Sequence, residues 1–294
     1  MMLKRATTIA EYLEKRPRFA TDAGRAYAGS FTPRSSDLII ATFPKCGTTW
    51  MQQIVHGLRT GGDMDFGEIT EVVPWIEMAY DLGIDLQARQ KGAFRAFKVH
   101  HRYDTVPKGA RYICVLRDPK DTALSFFNFM NGWLIEPGTV SADEFVQQVF
   151  LGDYLYGSYW SYLLSWWEAR GQDNVFFTSF EDMKADLPAI VSKVACFIGC
   201  DADAQIVEIA TGQAEFKFMK AHEPQFDDHL TPQARNAALG LPKDVGATKV
   251  STGNVGDSKQ GLSDQTISML NARWSEIITP ALGFETYDSL REAL

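Results

Sequence analysis

The sequence has few cysteines and no closely paired cysteine motif. Its 294 residues include 4 cysteines, and none of them forms a CxxC pair. Small secreted domains that depend on disulfides carry many more cysteines for their length. We therefore interpret the four cysteines as reduced thiols and expect no disulfide framework.

The sequence also lacks a long apolar run and an excess of basic residues. Residues 1–19 carry charges throughout, unlike the apolar centre of a signal peptide, and no apolar run is long enough to cross a bilayer. The 37 acidic residues exceed the 29 Lys and Arg, which gives a formal net charge of −8. General nucleic-acid binders need a positive field instead. We expect a cytoplasmic protein that binds neither membranes nor nucleic acid.

Four short apolar runs are spaced along a chain that is 45% hydrophobic, which is enough for a packed core. The runs cover 37–43, 93–100, 111–117 and 174–180, and each is rich in Ile, Val, Phe or Tyr. We predict four buried strands with helices between them, and therefore an α/β fold with a central parallel sheet flanked by helices. Ligands of such sheets bind beyond the carboxyl ends of the strands.

The chain shows no linker and no internal repeat, so we predict one domain over 36–294 that follows a polar N-terminal arm, 1–35, which is either a surface arm or a short helix. Pro188 should interrupt or restart the helix that follows the fourth strand. A terminal helix is predicted over 263–284. The segment 221–259 is rich in Gly, Pro, Asp and Asn, which predicts a long loop that acts as a functional lid.

The first strand runs into FPKCGTTW, residues 43–50, at the predicted start of a helix. A strand, a tight loop and a helix N-terminus aim backbone N–H groups and a positive dipole end at one point. Lys45 adds a full charge, and Thr48 and Thr49 add hydroxyl donors. The Walker loop has the form GxxxxGK[ST], whereas here the lysine precedes the only glycine, Gly47. The segment predicts a site for a phosphate-like anion; an ordinary strand–turn–helix with capping threonines is the alternative.

The second predicted strand ends in two adjacent histidines, His100 and His101, two residues after Lys98. Histidine titrates near neutral pH, so a histidine at this edge of the sheet could act as a general base. A pair of histidines without a third ligand is weak evidence for zinc. A pair of hydrogen-bonded histidines without a catalytic role is the alternative.

The third strand ends at Arg117, and Ser125 follows about two turns into the next predicted helix. Arginine can bind a phosphate with two parallel hydrogen bonds, and a serine hydroxyl can add another. Asp118 offers a different interpretation, because it could act as the acidic magnesium ligand of a P-loop NTPase. An ordinary surface pair of Arg117 and Asp118 is the third possibility.

Taken together, these motifs resemble the cytosolic sulfotransferase family. FPKCGTTW resembles its 5′-phosphosulfate loop YPKSGTTW, KVHH its KTH segment, and VLRDPKDTALSFFNF its 3′-phosphate segment. FTSFEDM resembles FYEDM, and STGNVGDSK partly matches the glycine loop RKGxxGDWK. The motifs run in order from about residue 36 to 275. The resemblance implies a P-loop-NTPase-like sulfotransferase fold, and we expect a bacterial member of the family.

The resemblance also implies a donor, 3′-phosphoadenosine-5′-phosphosulfate (PAPS), whose sulfuryl group passes to a hydroxyl or amine of a small molecule. The co-product is 3′-phosphoadenosine-5′-phosphate (PAP), and no metal is required. His100 would take the acceptor's proton, Lys45 would neutralise the departing oxygen, and Lys98 would stabilise the sulfuryl oxygens. Ser125 would restrain Lys45 until the acceptor arrives. The residues implied to contact the donor are Lys45, Cys46, Gly47, Thr48, Thr49, Trp50, Arg117, Ser125, Phe216 and Gly253, with the adenine between Trp50 and Phe216.

The chain departs from the family at several donor positions. Cys46 replaces the usual loop serine, and its place at a helix start predicts a lowered thiol pKa and reactivity towards alkylating agents. Phe180 replaces a tyrosine, and Ala214 replaces a common threonine. A thiol enzyme that uses Cys46 with His100 is therefore an alternative.

The largest departure lies in the glycine loop, where Ser251 and Thr252 replace the Arg-Lys pair that grips the 3′-phosphate in the family. Either Lys249 or Lys243 compensates for this loss, or the affinity for the 3′-phosphate is lower. Two further alternatives are a P-loop kinase or NTPase that binds Mg-ATP through Thr48 and a non-catalytic nucleotide-binding module.

The acceptor is the least defined part of the prediction. The segment VVPWIEMAYDLG resembles the family's acceptor wall, which favours an aromatic or hydrophobic alcohol, whereas Glu77 would favour an amine. The candidate acceptor-binding residues are Trp75, His101, Phe129, Tyr154 and Tyr156. Trp75 could equally be a core residue, and His101 could be structural. The sequence leaves the oligomeric state open.

Overall fold

The structure is a computed structural model that describes residues 3–153, 157–201, 203–250 and 252–294. Tyr154, Tyr156 and Ser251, which the sequence analysis assigned to the acceptor pocket and the glycine loop, lie outside the described residues.

The described strands form one parallel sheet of four strands. They are β1 (Leu38–Thr42), β2 (Ala96–Val99), β3 (Arg111–Leu116) and β4 (Val175–Ser179), in the spatial order β2-β1-β3-β4. All four predicted strands are confirmed. Because β1 lies between β2 and β3, the strand order reverses at its carboxyl end, which is where open α/β sheets bind ligands.

Helices precede, connect and follow the strands. They are α1 (Ile9–Lys15), α2 (Asp22–Ser30), α3 (Thr48–Thr60), α4 (Ile69–Val72), α5 (Pro119–Trp133), α6 (Ala142–Phe145), α7 (Tyr159–Ala169), α8 (Phe180–Ala185), α9 (Leu187–Ile198), α10 (Ala204–Ala214), α11 (Phe216–Ala221), α12 (Leu230–Leu239), α13 (Ser258–Gly261), α14 (Asp264–Leu282) and α15 (Tyr287–Arg291). Short 3₁₀ turns lie at Arg16–Arg18, Ile76–Met78 and Glu223–Gln225, and a π-helical turn at Val146–Phe150. Pro188 lies in the first turn of α9, which confirms the predicted helix restart.

The strands are buried on both faces, as expected of a sheet covered by helices. Successive β1 side chains point to opposite faces: Ile39 packs in the apolar cluster that contains Phe126 of α5 and Trp166 of α7. Ile40 packs in a second cluster with Ile54 of α3. The predicted layer architecture, with helices on both faces, is therefore confirmed.

One helix interrupts the segment that the sequence predicted to be a long loop. Residues 230–239 form α12, which ends at Gly240 in a left-handed conformation (φ 66°). Pro232 lies in the first turn, where a missing N–H removes no helical hydrogen bond. The prediction failed because the Gly, Pro and Asp residues that flank this helix dominated the composition of the whole segment.

The N-terminal segment forms the helices α1 and α2, which agrees with the helical one of its two predicted alternatives. Tyr12 of α1 is buried, and the Phe19 ring lies 5.6 Å from Trp133 and 5.8 Å from Trp75, centroid to centroid. The segment therefore completes the core on the side of α5. The domain boundary at residue 36 stays a prediction.

Candidate active site

A cavity of about 630 Å³ opens at the carboxyl ends of β1, β2 and β3. Almost all of the predicted site residues line it: Lys45, Gly47, Thr48, Thr49, Trp50, Trp75, Lys98, His100, Arg117, Ser125, Phe129, Phe216 and Gly253. The side chains of Cys46 and His101 are not among the lining residues. The parallel sheet thus brings the three motifs of the sequence to one place.

The loop after β1 is shaped by two residues with a left-handed backbone. Lys45 has φ 73° and Gly47, the N-cap of α3, has φ 94°. A Cβ at Gly47 would lie 3.1 Å from Cδ2 of Phe180, so a side chain there would be both strained and crowded. The loop presents the first N–H groups of α3, which have no acceptor within the helix, to the cavity. This is the geometry of an anion site at a helix N-terminus.

The Lys45 ammonium group reaches into the cavity, and its Nζ lies 4.2 Å from the centroid of the Phe129 ring. Burial, together with the nearby Lys249 and Arg117 cations, lowers the pKa of Lys45 to about 7. A bound anion would reverse this effect, because it stabilises the charged form.

A buried ionic cluster lies beside Lys45. Asp228 accepts an ion pair from Lys249 (Nζ to Oδ1, 2.7 Å) and a longer one from Lys98 (3.9 Å). Burial lowers the pKa of Lys98 to about 8, with Lys249 as the next cause. Burial opposes ionisation of Asp228, but Lys249 and Lys98 hold its pKa below the usual value.

Asp228 was missed by the sequence analysis. It is 2% exposed and adopts a left-handed backbone (φ 66°), which is uncommon for a residue other than glycine. Nothing in the surrounding sequence distinguishes it from the adjacent Asp227. Only the fold reveals that it faces Lys98, which lies 130 residues earlier in the chain.

His100 is held by hydrogen bonds at two atoms. Its Nδ1–H donates to the main-chain carbonyl of Thr42 (2.8 Å), and its backbone N–H donates to Oε1 of Glu77 (2.6 Å). Since the carbonyl can only accept, the ring proton is on Nδ1, and Nε2 carries a free lone pair. Burial lowers the pKa of His100 to about 3, with the Lys98 cation as the next cause, so the imidazole is neutral at pH 7.

His101 and Glu77 do not face this cavity. Nε2 of His101 lies 3.8 Å from Oε1 of Glu77, and its Nδ1 lies 3.3 Å from the Thr105 hydroxyl. Both residues line a separate, smaller pocket. Successive side chains of an extended segment point in opposite directions, so only one of two adjacent histidines can face the acceptor. The structure therefore favours the structural interpretation of His101, and an acceptor contact by His101 and an amine site at Glu77 stay predictions.

Arg117 connects the phosphate loop to the glycine loop, which we define as residues 252–258. Its Nη1 donates to the carbonyl of Lys45 (3.2 Å) and its Nη2 to the carbonyl of Asn254 (3.1 Å). Its Nε is buried and has no hydrogen-bond partner among the described residues. Ser125 lies on α5 and also lines the cavity. Arg117 lies two residues before the start of this helix.

Asp121 fastens the glycine loop and was also missed by the sequence analysis. Its two carboxylate oxygens accept the backbone N–H groups of Gly256 (2.6 Å) and Ser258 (3.0 Å). Within the loop, Thr252 donates its hydroxyl to Asp257 (2.7 Å). A carboxylate that accepts two backbone amides across 135 residues is a strong tertiary restraint.

The two candidate substitutes for the missing Arg-Lys pair lie in different surroundings. Lys249 lies in the ionic cluster with Asp228, and Lys243 is exposed and does not line the cavity. Lys184 of α8 does line the cavity, with its Nζ 5.7 Å from the centroid of Phe216. Lys184 was not among the residues expected to compensate for the missing pair.

Two aromatic rings form the far part of the cavity. The Trp50 indole N–H donates to the carbonyl of Ala214 (2.7 Å), which fixes the ring, and Phe216 lines the same cavity. A Cβ at Gly253 (φ 63°) would lie 2.9 Å from Phe216, so the glycine allows this close approach. Both rings therefore line the same cavity as the phosphate loop.

Cys46 lies beneath the phosphate loop rather than in it. It is 1% exposed, and its Sγ lies 3.5 Å from the Thr122 hydroxyl. Burial raises the pKa of the thiol to about 12. The predicted reactive thiol is wrong, because removal from water outweighs the effect of the helix start. The alternative of a thiol enzyme loses its nucleophile.

Asp118 is equally remote from the cavity. Its side chain caps α5 by accepting the backbone N–H of Lys120 (2.7 Å), and it is not a lining residue. Among the residues that the structure describes, no group of three His, Cys, Asp or Glu side chains could hold a metal ion. The same part of the chain has no helix that is long and apolar enough to span a membrane.

An aromatic wall borders the catalytic side chains. Trp75 lies next to His100 (5.1 Å between ring centroids), and Phe129 lies 5.9 Å from Trp133. Phe19 contacts both tryptophans. The rings of Phe19, Trp75, Phe129 and Trp133 all line the cavity. Phe19 was missed because its segment is polar on average, and a single aromatic residue gives no signal of its direction.

Comparison with known proteins identifies the family of this chain. Residues 35–276 match the family model described as sulfotransferase domain. Sulfotransferase 1B1 from dog (Canis lupus familiaris) is 32% identical over 206 residues, which cover 65% of this chain and 68% of the relative. The dog protein does not test the expected bacterial source, which stays a prediction.

Two solved structures share the fold. The mouse sulfotransferase SULT7A1, complexed with PAP, aligns with a TM-score of 0.66 and 23% identity over 88% of this chain and 90% of its own. Retinol dehydratase, in complex with androsterone and inactive cofactor PAP, aligns with a TM-score of 0.68 and 16% identity. That alignment covers 92% of this chain and 85% of the dehydratase.

Proposed function

The chain belongs to the sulfotransferase domain family, and from that premise we propose that His100 is the general base in transfer of the sulfuryl group of PAPS to a small-molecule hydroxyl. The observation that carries the proposal is the neutral His100 ring, with Nδ1 bound to Thr42 and Nε2 free, in one cavity with Lys45 and Lys98. A positioned base of this kind typically contributes about 10²–10⁴-fold to the rate.

The chemistry follows from the charges around the base. The acceptor oxygen attacks sulfur while the bond from sulfur to the bridging oxygen breaks, and the acceptor proton passes to Nε2 of His100. Lys45 and the first N–H groups of α3 neutralise charge on the leaving phosphate, and Lys98 stabilises the sulfuryl oxygens. Such preorganised donors in a site removed from water often supply the largest part of a rate enhancement.

We propose that the donor lies along the cavity from the phosphate loop to the aromatic rings. Trp50 and Phe216 would hold the adenine, and Arg117 with Ser125 would contact the 3′-phosphate. The unpartnered Nε of Arg117 fits this role, because a buried N–H without an acceptor is costly until a ligand supplies one. PAP in the solved structures of relatives supports the same class of donor.

The acceptor is proposed to be a hydrophobic or aromatic alcohol. Phe19, Trp75, Phe129 and Trp133 offer apolar surface next to His100, and the carboxylate of Glu77 is directed away from them. An uncharged ring carrying a hydroxyl group matches this wall better than an amine does. The complex of retinol dehydratase with androsterone shows that one protein with this fold binds such a molecule. A cytoplasmic location stays a prediction.

The proposal is tested by thermal unfolding of the full chain with PAP, with ADP and with ATP plus magnesium, followed by turnover with PAPS. A ligand at 100 times its Kd should add about 2.7 kcal/mol to the free energy of unfolding. We expect stabilisation by PAP and sulfation of an aromatic alcohol. Stabilisation by ATP with magnesium alone would favour a kinase, and PAP binding without turnover of any alcohol or amine would favour a non-catalytic module.

A further inference from the structure

We propose that the chain also uses adenosine-5′-phosphosulfate, the donor that lacks the 3′-phosphate. The reason is that the protein's cationic side chains are concentrated on the side of the cavity proposed to hold the phosphosulfate and not on the side of the glycine loop. The inference rests on the proposed function and extends it to a second donor. It follows from the positions of the charged side chains that line the cavity.

The phosphosulfate side of the cavity carries three ammonium groups, those of Lys45, Lys98 and Lys249, against the carboxylate of Asp228 and the nearby buried carboxylate of Glu68. Lys249 and Lys98 both approach Oδ1 of Asp228, at 2.7 and 3.9 Å, so the ammonium groups are held close together before any ligand binds. The start of α3 adds backbone N–H groups to the same side. Charges removed from water interact more strongly, so this side alone can bind a phosphosulfate.

The glycine-loop side has no comparable excess of positive charge. The carboxylates of Asp121 and Asp257 line the cavity there, opposed by the guanidinium of Arg117 and the exposed ammonium of Lys184. Thr252, which also lines this side, contributes a hydroxyl that already donates to Asp257. A phosphate monoester brings a charge of about −1.5 to −2 at pH 7, and this side offers little to balance it.

Arg117 is also largely committed to the protein itself. Both of its Nη groups donate to backbone carbonyls, those of Lys45 and Asn254, so they connect two loops. Only Nε lacks a partner among the described residues. One contact from Nε and one from Ser125 would remain for a 3′-phosphate. A single charge-assisted hydrogen bond of this kind is worth about ten- to a hundredfold in affinity.

The reaction with the second donor balances in the same way as with PAPS. The bond from sulfur to the acceptor oxygen forms, and the bond from sulfur to the bridging oxygen breaks with its electron pair remaining on the phosphate. The acceptor proton passes to His100. The leaving group is then adenosine 5′-monophosphate instead of PAP, and no other reactant is required.

The experiment compares kcat/KM for the two donors with one aromatic alcohol, using the purified full chain and identifying the nucleotide product by mass spectrometry. We expect PAPS to be preferred by no more than about a hundredfold, which corresponds to two remaining contacts of about tenfold each. A larger preference for PAPS would overturn the inference and leave the proposed function intact. Absence of turnover with either donor would instead overturn the proposed function.

Two variants separate the two sides of the cavity. Thr252→Arg places a guanidinium in the glycine loop and should raise the PAPS-to-adenosine-5′-phosphosulfate preference by about tenfold or more. Lys249→Met removes a cation from the phosphosulfate side and should lower kcat/KM for both donors by similar factors. The assignment of charges to the two sides would be contradicted by either of two results. One is that Thr252→Arg leaves the ratio of kcat/KM for the two donors unchanged, and the other is that Lys249→Met changes this ratio tenfold.

Discussion

His100 donates its Nδ1–H to the main-chain carbonyl of Thr42 at 2.8 Å, across the carboxyl ends of β2 and β1. This hydrogen bond fixes the tautomer, since only Nε2 is then able to accept a proton. It also fixes the orientation of the ring, because Thr42 is the last residue of the central strand. The carbonyl of the central strand therefore orients the ring of the proposed base, while the Glu77 carboxylate holds its backbone N–H.

His100→Ala should lower kcat by about 10²–10⁴-fold, because it removes the group that takes the acceptor's proton. The affinity for PAP, measured by calorimetry, should stay close to that of the parent protein. His101→Ala is the matched control, since the neighbouring histidine lies outside the cavity and its loss should leave kcat unchanged. A His100→Ala protein that turns over at the parent rate would sink the assignment of the base.

Donor binding should weaken as the pH rises from 7 to 9. The pKa of Lys45 is lowered to about 7 and that of Lys98 to about 8 in the ligand-free protein, so both ammonium groups lose protons within this range. A bound phosphosulfate or PAP favours the charged form and raises these pKa values, which means that binding takes up protons. Affinity is therefore greatest below pH 7 and falls as the pH passes through the two pKa values.

Calorimetry of PAP binding at pH 6.5, 7.5 and 8.5, in buffers of different ionisation enthalpy, measures this proton uptake. We expect little uptake at the lowest pH and up to about one proton per lysine at the highest, because the difference in bound protons sets the slope. Lys45→Met should abolish the proton uptake that Lys45 contributes and should weaken PAP binding. A pH-independent Kd with no proton uptake would refute the pKa shifts.

The sequence revealed the parts of the site that depend on neighbours along the chain. The apolar run before Lys45 predicts a strand, and Gly47 with Thr48 predicts a loop that enters a helix, because these signals lie within a few residues of each other. The parallel sheet then requires the ends of β1, β2 and β3 to meet. The site of the three motifs could therefore be predicted without coordinates.

The parts that the sequence did not reveal depend on contacts between distant segments. Asp228 meets Lys98 from 130 residues away, and Phe19 meets Trp75 from 56 residues away. No local pattern marks either residue. The thiol pKa of Cys46 also depends on distant segments. The helix start is visible in the sequence and predicts a low pKa, but the tertiary structure buries the thiol, and burial raises its pKa.

Alkylation of the folded protein should therefore modify Cys196 and not Cys46. Cys196 is exposed, whereas Cys46 is buried and its pKa is raised to about 12, so almost none of it is thiolate at pH 8. Peptide mapping after iodoacetamide treatment of the folded protein measures this directly. Cys46→Ser should keep its turnover, because the side chain does not line the cavity. Rapid modification of Cys46 with loss of activity would restore the reactive-thiol interpretation.

Asp121→Ala should raise the KM for the donor more than it lowers kcat. The carboxylate accepts the N–H groups of Gly256 and Ser258, and each charge-assisted hydrogen bond contributes about 1.5–3 kcal/mol to holding the glycine loop. Without it the loop must be ordered by the donor, and the cost appears as weaker binding. The proposed catalytic side chains Lys45, Lys98 and His100 lie on or directly after β1 and β2 and do not contact Asp121, so kcat should be largely retained.

Asp118→Ala is the matched control, because it removes a carboxylate from the start of the same helix without touching the glycine loop. Hydrogen exchange at the amides of Gly256 and Ser258 should accelerate in the Asp121 variant and stay unchanged in the Asp118 variant. This readout separates a loop restraint from a general loss of stability, which would accelerate exchange throughout α5 in both proteins. Equal donor KM values in the two variants would show that Asp121 serves only the stability of the fold.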